Sequence, residues 1–450
     1  MEMIRIPESW GVKREPRTPV SQRKDIITLG LSYDEQFDWD ILFADALKLG
    51  DNRTLLIGAP LYELKKEIRF ANGNHQFLDL DKVTLTLVET DDDVITLLND
   101  KGNIDIQVNK LSSDFEDVGC IMTMQKNEPM HWIEDWIQYY HLEHSVKGFV
   151  IYDNNSDDYT VDELRDRLSK IDLDVIVHVI DWCMPHGPNT PSWDSDFARY
   201  VMFEHFKYKY AWCSSYAINH DIDELLMIEN GNINDLLNFI DKNNLTSVIY
   251  GNRNIEPYNE SLDISAHEMD VNDRRFKDYY HYSEYNNTNN TKVGKRLIDK
   301  WLVIPEKGME FQWRNHDFFG DHKSIRFDVN TGIYFAHFYA MQSKNKNKHP
   351  SFYNRNQQLI DKTNIKVDSL VKSKLKKQFL RSDNVLITRS RHRSHLEECY
   401  KHLEVFLKKK DNHEFDLAAE DLRLAIRHLG AIVGKVDVEE ILGSIFENFC

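Results

Sequence analysis

From Val118 onward, apolar runs of strand length alternate with amphipathic helical periods. That alternation restricts the chain to a largely parallel sheet with helices on both faces. "VGCIMTM" reads as a buried strand. The segment after it, "QKNEPMHWIEDWIQYYHLEH", reads as a helix with Pro129 in its first turn and Trp132, Trp136 and Tyr140 recurring on one face. "GFVIYDNNSDD" and "DVIVHVI" follow as strands, "TVDELRDRLSK" and "DSDFARYVMFEHFKYKY" as helices, and a fourth strand closes at "INHDIDELLMI". Such a succession gathers polar strand ends on one edge, where open parallel sheets bind ligands.

Around this α/β region, 116–345, three other segments are expected. Residues 1–115 mix short apolar runs with Gly, Asn and Asp turn signals, the pattern of a strand-rich region with one helix. Residues 346–383 are rich in Lys and Asn at their start and read as a linker and helix, and 384–450 carry helical periodicity throughout. Within the α/β region, residues 251–292 form a long polar insertion over the ligand edge.

Composition narrows the function classes. A formal net charge of -18 argues against general nucleic-acid affinity, because phosphate contacts need surplus Lys and Arg. The five cysteines are scattered and odd in number, as expected of reduced cytosolic thiols. No apolar run approaches the roughly 20 residues of a membrane helix and no signal peptide is evident, so a cytoplasmic protein is expected. Basic residues from Lys362 to Lys410 can either hold the chain at anionic lipid on the inner face of a membrane or form a solvated helical face.

The chemistry concentrates at strand ends. Asp221, Asp223 and Glu224 lie within four positions between apolar stretches, and such carboxylates repel unless something cationic sits among them. A divalent Mn2+ or Mg2+ is the candidate, since hard cations take oxygen ligands and Mg2+ combines one or two carboxylates with substrate phosphates. Alternation along a strand would point Asp221 and Asp223 the same way, although ribose and metal sit at different depths and the strand is expected to end or bend there, with Asp223 on the metal and Asp221 on a ribose or on the metal through water. Alone, a DxD also suits an acidic strand end facing solvent.

Lys126, Asn127 and Glu128 end the first strand, and Asp153, Asn154, Ser156 and Asp158 end the second. These groups can read a uracil imide edge and ribose hydroxyls, or serve as ordinary turn and cap residues. In "GIYFAHFYAMQSK", His337 can complete a metal's ligand set or bond a diphosphate, with Ser343 nearby; the alternative is a satisfied core histidine.

In order and spacing, "MQKNEPMHWIEDWIQYYHLEHSVKGFVIYDNNSDD", "AWCSSYAINHDIDELL", "KWLVIPEK" and "AHFYAMQSK" resemble the family-2-like glycosyltransferases of the GT-A fold, in particular the galactan-synthase-related subgroup, over about 118–345. The resemblance implies a GT-A (Rossmann-like) mixed sheet flanked by helices. It further implies a UDP-sugar donor, Mn2+ or Mg2+ on the DxD, and inverting hexosyl transfer to a glycan or lipid-linked acceptor in polysaccharide biosynthesis. By position, Glu128, Asp153 and Asn154 would contact the nucleoside, Asp221 and Asp223 the ribose and metal, His337 the metal or diphosphate, and Lys300 a phosphate. Leu225, Phe338 and Met341-Gln342 depart from the family pattern. An inverting transfer needs a carboxylate to deprotonate the acceptor; Glu256, Asp263, Asp270 and Glu224 are the candidates.

Residues 384–450 are similar to the C-terminal helical segment of the GTPase that modifies the wobble uridine of tRNA. No GxxxxGK[ST] phosphate loop occurs in the chain, so the segment reads as a helical scaffold or dimerisation element. The alternative reading of the whole is a non-catalytic helical partner in tRNA modification, with a degenerate sugar-transfer domain.

Overall fold

A computed structural model describes residues 3–23, 31–188, 194–229, 231–255, 257–259, 264–266, 269–279 and 298–341, and in the C-terminal part 398–406, 409, 419, 421–426 and 428. The chain divides into two compact units, Met1–Phe379 and Leu380–Cys450.

The α/β region of the first unit is built on a nine-stranded sheet. Its elements are β1 Gly119–Gln125, α1 Met130–His144, β2 Gly148–Asp153, α2 Val161–Leu168, β3 Ile176–Asp181, α3 Phe197–Lys209, β4 Tyr216–Asn219, β5 Glu224–Ile228, α4 Ile233–Lys242, β6 Ser247–Ile255, β7 Asp299–Val303, β8 Ser324–Phe327 and β9 Ile333–Phe338. The strand order is β3-β2-β1-β4-β7-β6-β9-β5, with β8 also paired to β6. Strands β1 to β4 run parallel, β7 is antiparallel to both of its neighbours, and β5 is antiparallel to β9. The sheet is mixed rather than largely parallel as the alternation predicts, and it is the α/β mixed sheet flanked by helices that the resemblance implies.

Register places the site-bearing ends together. Gln125 pairs with Asp153, Asp153 with Asp181, and Met122 with Asn219, so the chain leaves β1, β2, β3 and β4 at one edge. The apolar stripe expected on α1 is buried: Trp132, Trp136 and Tyr140 have no exposed surface. At Gly119 a Cβ would lie 2.0 Å from the Tyr216 ring, so only glycine lets that tyrosine lie over β1.

The expected fourth strand is two strands. β4 ends at Asn219, residues 220–223 turn, and β5 starts at Glu224 beside β9 at the opposite margin of the sheet. Apolar residues on both sides of the turn read as one run because each strand is buried on both faces. The alternation argument for Asp221 and Asp223 therefore does not hold, since the backbone between them is a turn.

Residues before 115 are strand-rich as expected, with a five-stranded sheet ordered 109–110, 45–50, 53–58, 83–88, 75–80 and, among the described residues, helices of no more than five residues. They share a core with the α/β region, where Phe37, Ile57 and Leu85 cluster with Phe197, Trp301 and Trp313. The 346–383 segment lies outside the described residues. In the second unit, 398–406 and 421–426 are helical, and Lys409 pairs with Asp421 at 2.6 Å. Among the described residues no helix is long and apolar enough to cross a membrane.

Helix α2 starts on a reciprocal cap: Thr160 N donates to Glu163 Oε2 at 2.7 Å, and Glu163 N to Thr160 Oγ1 at 3.2 Å. Thr160→Ala should cost about 1 kcal/mol in chemical denaturation. A change below about 0.3 kcal/mol would show the cap to be dispensable.

Candidate functional site

Four loops meet at the carboxyl ends of β1 to β4. In the first, Asn127 takes a left-handed backbone (φ 58), a conformation asparagine tolerates better than most residues. Its Oδ1 accepts from Asp157 N at 2.6 Å and Asp158 N at 3.2 Å, and its own N donates to Ser156 Oγ at 2.8 Å. Asp153 is buried and accepts from Ser156 N at 3.0 Å, from Ser156 Oγ at 2.6 Å and from Gln125 Nε2. Asn154 Nδ2 donates to Trp182 O at 2.9 Å and Met184 O at 2.8 Å, tying the second loop to the third. Tyr159 bonds Gln125 Oε1 at 2.8 Å and Glu128 O at 2.7 Å. Asn127, Asp153, Asn154 and Ser156 thus use their side chains to fix the loops, whereas Lys126 pairs with Asp157 at 3.2 Å near the surface and Asp158 is exposed.

A cleft of about 1710 Å³ runs along these loops. Lys126, Asn127, Asn154, Asp158, His186 and Asn272 are among its lining residues, while Asp221, Asp223 and His337 are not.

The DID turn separates its carboxylates. Asp221 Oδ1 accepts from Arg199 at 3.0 Å and Oδ2 from Lys300 at 2.9 Å. Lys300, on β7 and fully buried, also pairs with Glu224 Oε2 at 2.9 Å. Part of the positive charge that three adjacent carboxylates require is therefore supplied by the chain itself. Arg199 further donates to Asn315 Oδ1 at 3.1 Å.

Asp223 has a different partner. Because Glu224 pairs with His337 across β5 and β9, the turn is carried beside β9, and Asp223 Oδ2 meets His337 Nε2 at 3.1 Å. The Asp223 carbonyl accepts from Phe338 N at 2.8 Å, which pins the backbone of the turn. One ligand atom each from Asp223, Glu224 and His337 lie within 4.8 Å of one another. Asp221 is not in that group.

The electrostatics follow from burial and partners. Burial opposes ionisation of Asp221, but Arg199 and Lys300 outweigh it and hold the carboxyl well below the usual carboxylate range. Burial pushes Glu224 up to about 7, with Asp221 and Asp223 adding to the rise and Lys300 opposing it. Burial disfavours the imidazolium of His337, yet the charge and hydrogen bond of Asp223 outweigh burial and raise its pKa. Beneath the turn His220 lies between Tyr140 and Tyr250, and burial drives its pKa far down, so it is neutral.

The remaining predicted residues fall elsewhere. Asp270 is exposed and caps a short turn, accepting from Asn272 N at 2.8 Å. Glu256, Asp263 and Ser343 lie outside the described residues. Leu225 and Phe338, which depart from the family pattern, are buried in the apolar core; the Phe338 ring packs edge-on to Phe276. Arg199 and Asn315 were not singled out from sequence. The signal available for Arg199 was charge balance: three carboxylates and one nearby Lys leave a cation to be found.

Comparison with known proteins identifies two regions. A family model described as the MnmE helical domain matches residues 341–450. The tRNA modification GTPase MnmE of Pelagibacter ubique is 63% identical over 78 residues, 17% of this chain and 18% of that protein. The protein of the same name from Wolbachia sp. subsp. Drosophila simulans is 45% identical over 86 residues, 19% of each. The chain thus spans about a fifth of the length of these curated relatives. Among solved structures, S. aureus TarS 1-349 aligns with TM-score 0.26 and 12% identity over 68% of this chain and 80% of that one. The mannosyltransferase Ktr4p from S. cerevisiae aligns with TM-score 0.21 and 14% identity over 32% and 42%. The model described as Glycosyltransferase family 92 matches residues 118–375, the whole α/β sheet and more than half of the 450 residues, and on that match the chain belongs to glycosyltransferase family 92.

Proposed function

We propose that this glycosyltransferase moves a hexose from a nucleoside-diphosphate donor of the UDP-sugar class to a glycan or lipid-linked acceptor, with inversion, using Mn2+ or Mg2+. The observation that carries the reading is the convergence of Asp223, Glu224 and His337 at the turn that follows β4 and the adjoining β5–β9 pair. Two carboxylates and an imidazole suit Mn2+, and a three-donor set leaves coordination positions for phosphate oxygens and water. When bound, the ion stabilises charge on the departing nucleoside diphosphate by several kcal/mol.

The chain's own residues have separate tasks on this reading. Asp223 and His337 hold the ion, and Glu224 lies within reach of it. Asp221 keeps 29% of its side chain exposed, and each of its oxygens retains a lone pair that can accept from a ribose hydroxyl. The fixed loops at Asn127 and Asp153 shape the rim of the cleft, where Lys126, Asn154 and Asp158 meet the nucleoside. Glu224 is engaged by Lys300 and by Asp221 N at 2.8 Å, so among the described residues Asp270 is the base candidate that remains at the surface. It adjoins Val271 and Asn272, which line the cleft.

The test is a screen of UDP-sugars for hydrolysis without acceptor, with Mn2+ or Mg2+ and after chelation. At least one donor should be hydrolysed or bound only when metal is present. If no UDP-sugar is bound or turned over under any condition, the donor reading is wrong. On this reading residues 384–450 carry no part in tRNA modification, and wobble-uridine modification should be normal in a strain lacking the chain.

A further inference from the structure

The three carboxylates of the turn are answered by two cations that solvent does not supply. Lys300 has no exposed surface and sits 2.9 Å from both Asp221 and Glu224; Arg199 lies 3.0 Å from Asp221 and is held by Asn315 at 3.1 Å. Asn315 is itself fixed, since its carbonyl accepts from Asn219 Nδ2 at 2.8 Å. In the protonation state that metal binding requires, with the three carboxylates ionised and His337 neutral, Lys300 and Arg199 leave the cluster one net negative charge rather than three.

A site with three uncompensated carboxylates would hold a divalent ion whether or not donor is present. One with a single net negative charge binds the ion weakly until a second anion joins it. Burial makes this compensation effective, because a cation without water around it is screened little.

We propose that Lys300 and Arg199 are built-in counter-cations that weaken metal binding by the Asp223–Glu224–His337 group alone, so that the ion is retained only together with a nucleoside diphosphate. Both are positioning residues: Lys300 also sets the carboxylate of Glu224, and Arg199 fixes Asp221. This rests on the donor reading above and adds to it an order of binding and two residues that control it.

Manganese binding to the full chain, measured by electron paramagnetic resonance of the free ion with and without UDP, tests the assignment. Wild type should bind Mn2+ weakly alone and at least about tenfold more tightly with UDP. Lys300→Met removes one nearby positive charge at similar volume, and at an effective dielectric near 20 this should tighten binding of Mn2+ alone by roughly tenfold or more while shrinking the effect of UDP. Arg199→Met, at a more exposed side chain, should change binding in the same direction by less. A merely structural role would weaken metal binding in both variants.

The proposal is overturned if wild type binds Mn2+ alone as tightly as with UDP. It is equally overturned if Lys300→Met, folded by circular dichroism, binds Mn2+ alone no better than wild type. If Lys300→Met does not fold, Arg199→Met decides by the same criterion. Wild type that binds no Mn2+ in either condition overturns the donor reading itself, a distinguishable result.

Discussion

Asp223→Ala is expected to abolish metal-dependent UDP-sugar binding and turnover. Loss of an outer-shell partner at a metal site typically costs about 10- to 100-fold, and removing a proposed direct ligand should exceed that. The backbone of the turn is pinned by the Phe338 N bond to the Asp223 carbonyl, so truncation leaves the turn in place. It also leaves His337 without the carboxylate at 3.1 Å, a cost of about 1–3 kcal/mol in stability that denaturation would register separately. Asp223→Asn keeps the shape and one acceptor while removing the charge, and should lose metal dependence nearly as fully. Calorimetry with UDP and Mn2+ reads both variants. Wild-type affinity and metal dependence in Asp223→Ala would remove the metal assignment.

Asp45→Ala should destabilise the first unit by about 3–5 kcal/mol at pH 7, because it strips the partner from buried polar groups that join the strand-rich region to the α/β core. Asp45 accepts from His205 at 3.0 Å, Lys209 at 3.2 Å and Asn109 at 2.7 Å, and His205 Nδ1 accepts from Tyr152 at 2.8 Å. Burial raises the Asp45 carboxyl, but His205, Lys209 and Asn109 outweigh burial and hold it at about 2. Burial in turn keeps His205 below its usual range, so at neutral pH a neutral imidazole donates to Asp45 and Lys209 supplies the charge. A depressed carboxylate stabilises the fold above its unfolded value of 3.8 and loses that contribution, roughly 2 kcal/mol, as pH falls through about 2. The depressed histidine costs stability from 6.5 downward in wild type and variant alike, since the unfolded chain takes up its proton first. Urea denaturation of wild type and Asp45→Ala should therefore show a difference that holds from pH 7 to about 4 and shrinks as pH falls from about 4 toward 2. A difference below about 1 kcal/mol at pH 7, or one that does not shrink between pH 4 and 2, would contradict this account.

Much of the α/β region is legible locally. The burial of Trp132, Trp136 and Tyr140 follows from their spacing alone, and β1, β2, β3, α1, α2 and α3 lie where periodicity changes. A break at the DID segment is expected, but that the residues after it form a separate strand beside β9 is not legible, because strands buried on both faces give no alternation that tells them apart. The pairing of Asp223 with His337 joins positions 114 apart, and ordered motifs point to it where local pattern does not. Arg199 is legible only as a missing positive charge, because a lone Arg in the first turn of an aromatic-rich helix does not itself mark its distant partner.

By itself the order of residues determined which segments bury apolar faces and therefore the alternating sheet and its polar edge; that information is local, written in periods of two and 3.6 residues. Only the folded chain decided which cation answers which carboxylate. Lys300 reaches Asp221 and Glu224, and His337 reaches Asp223, through strand register and burial, and charges interact by distance and dielectric rather than by position in the chain.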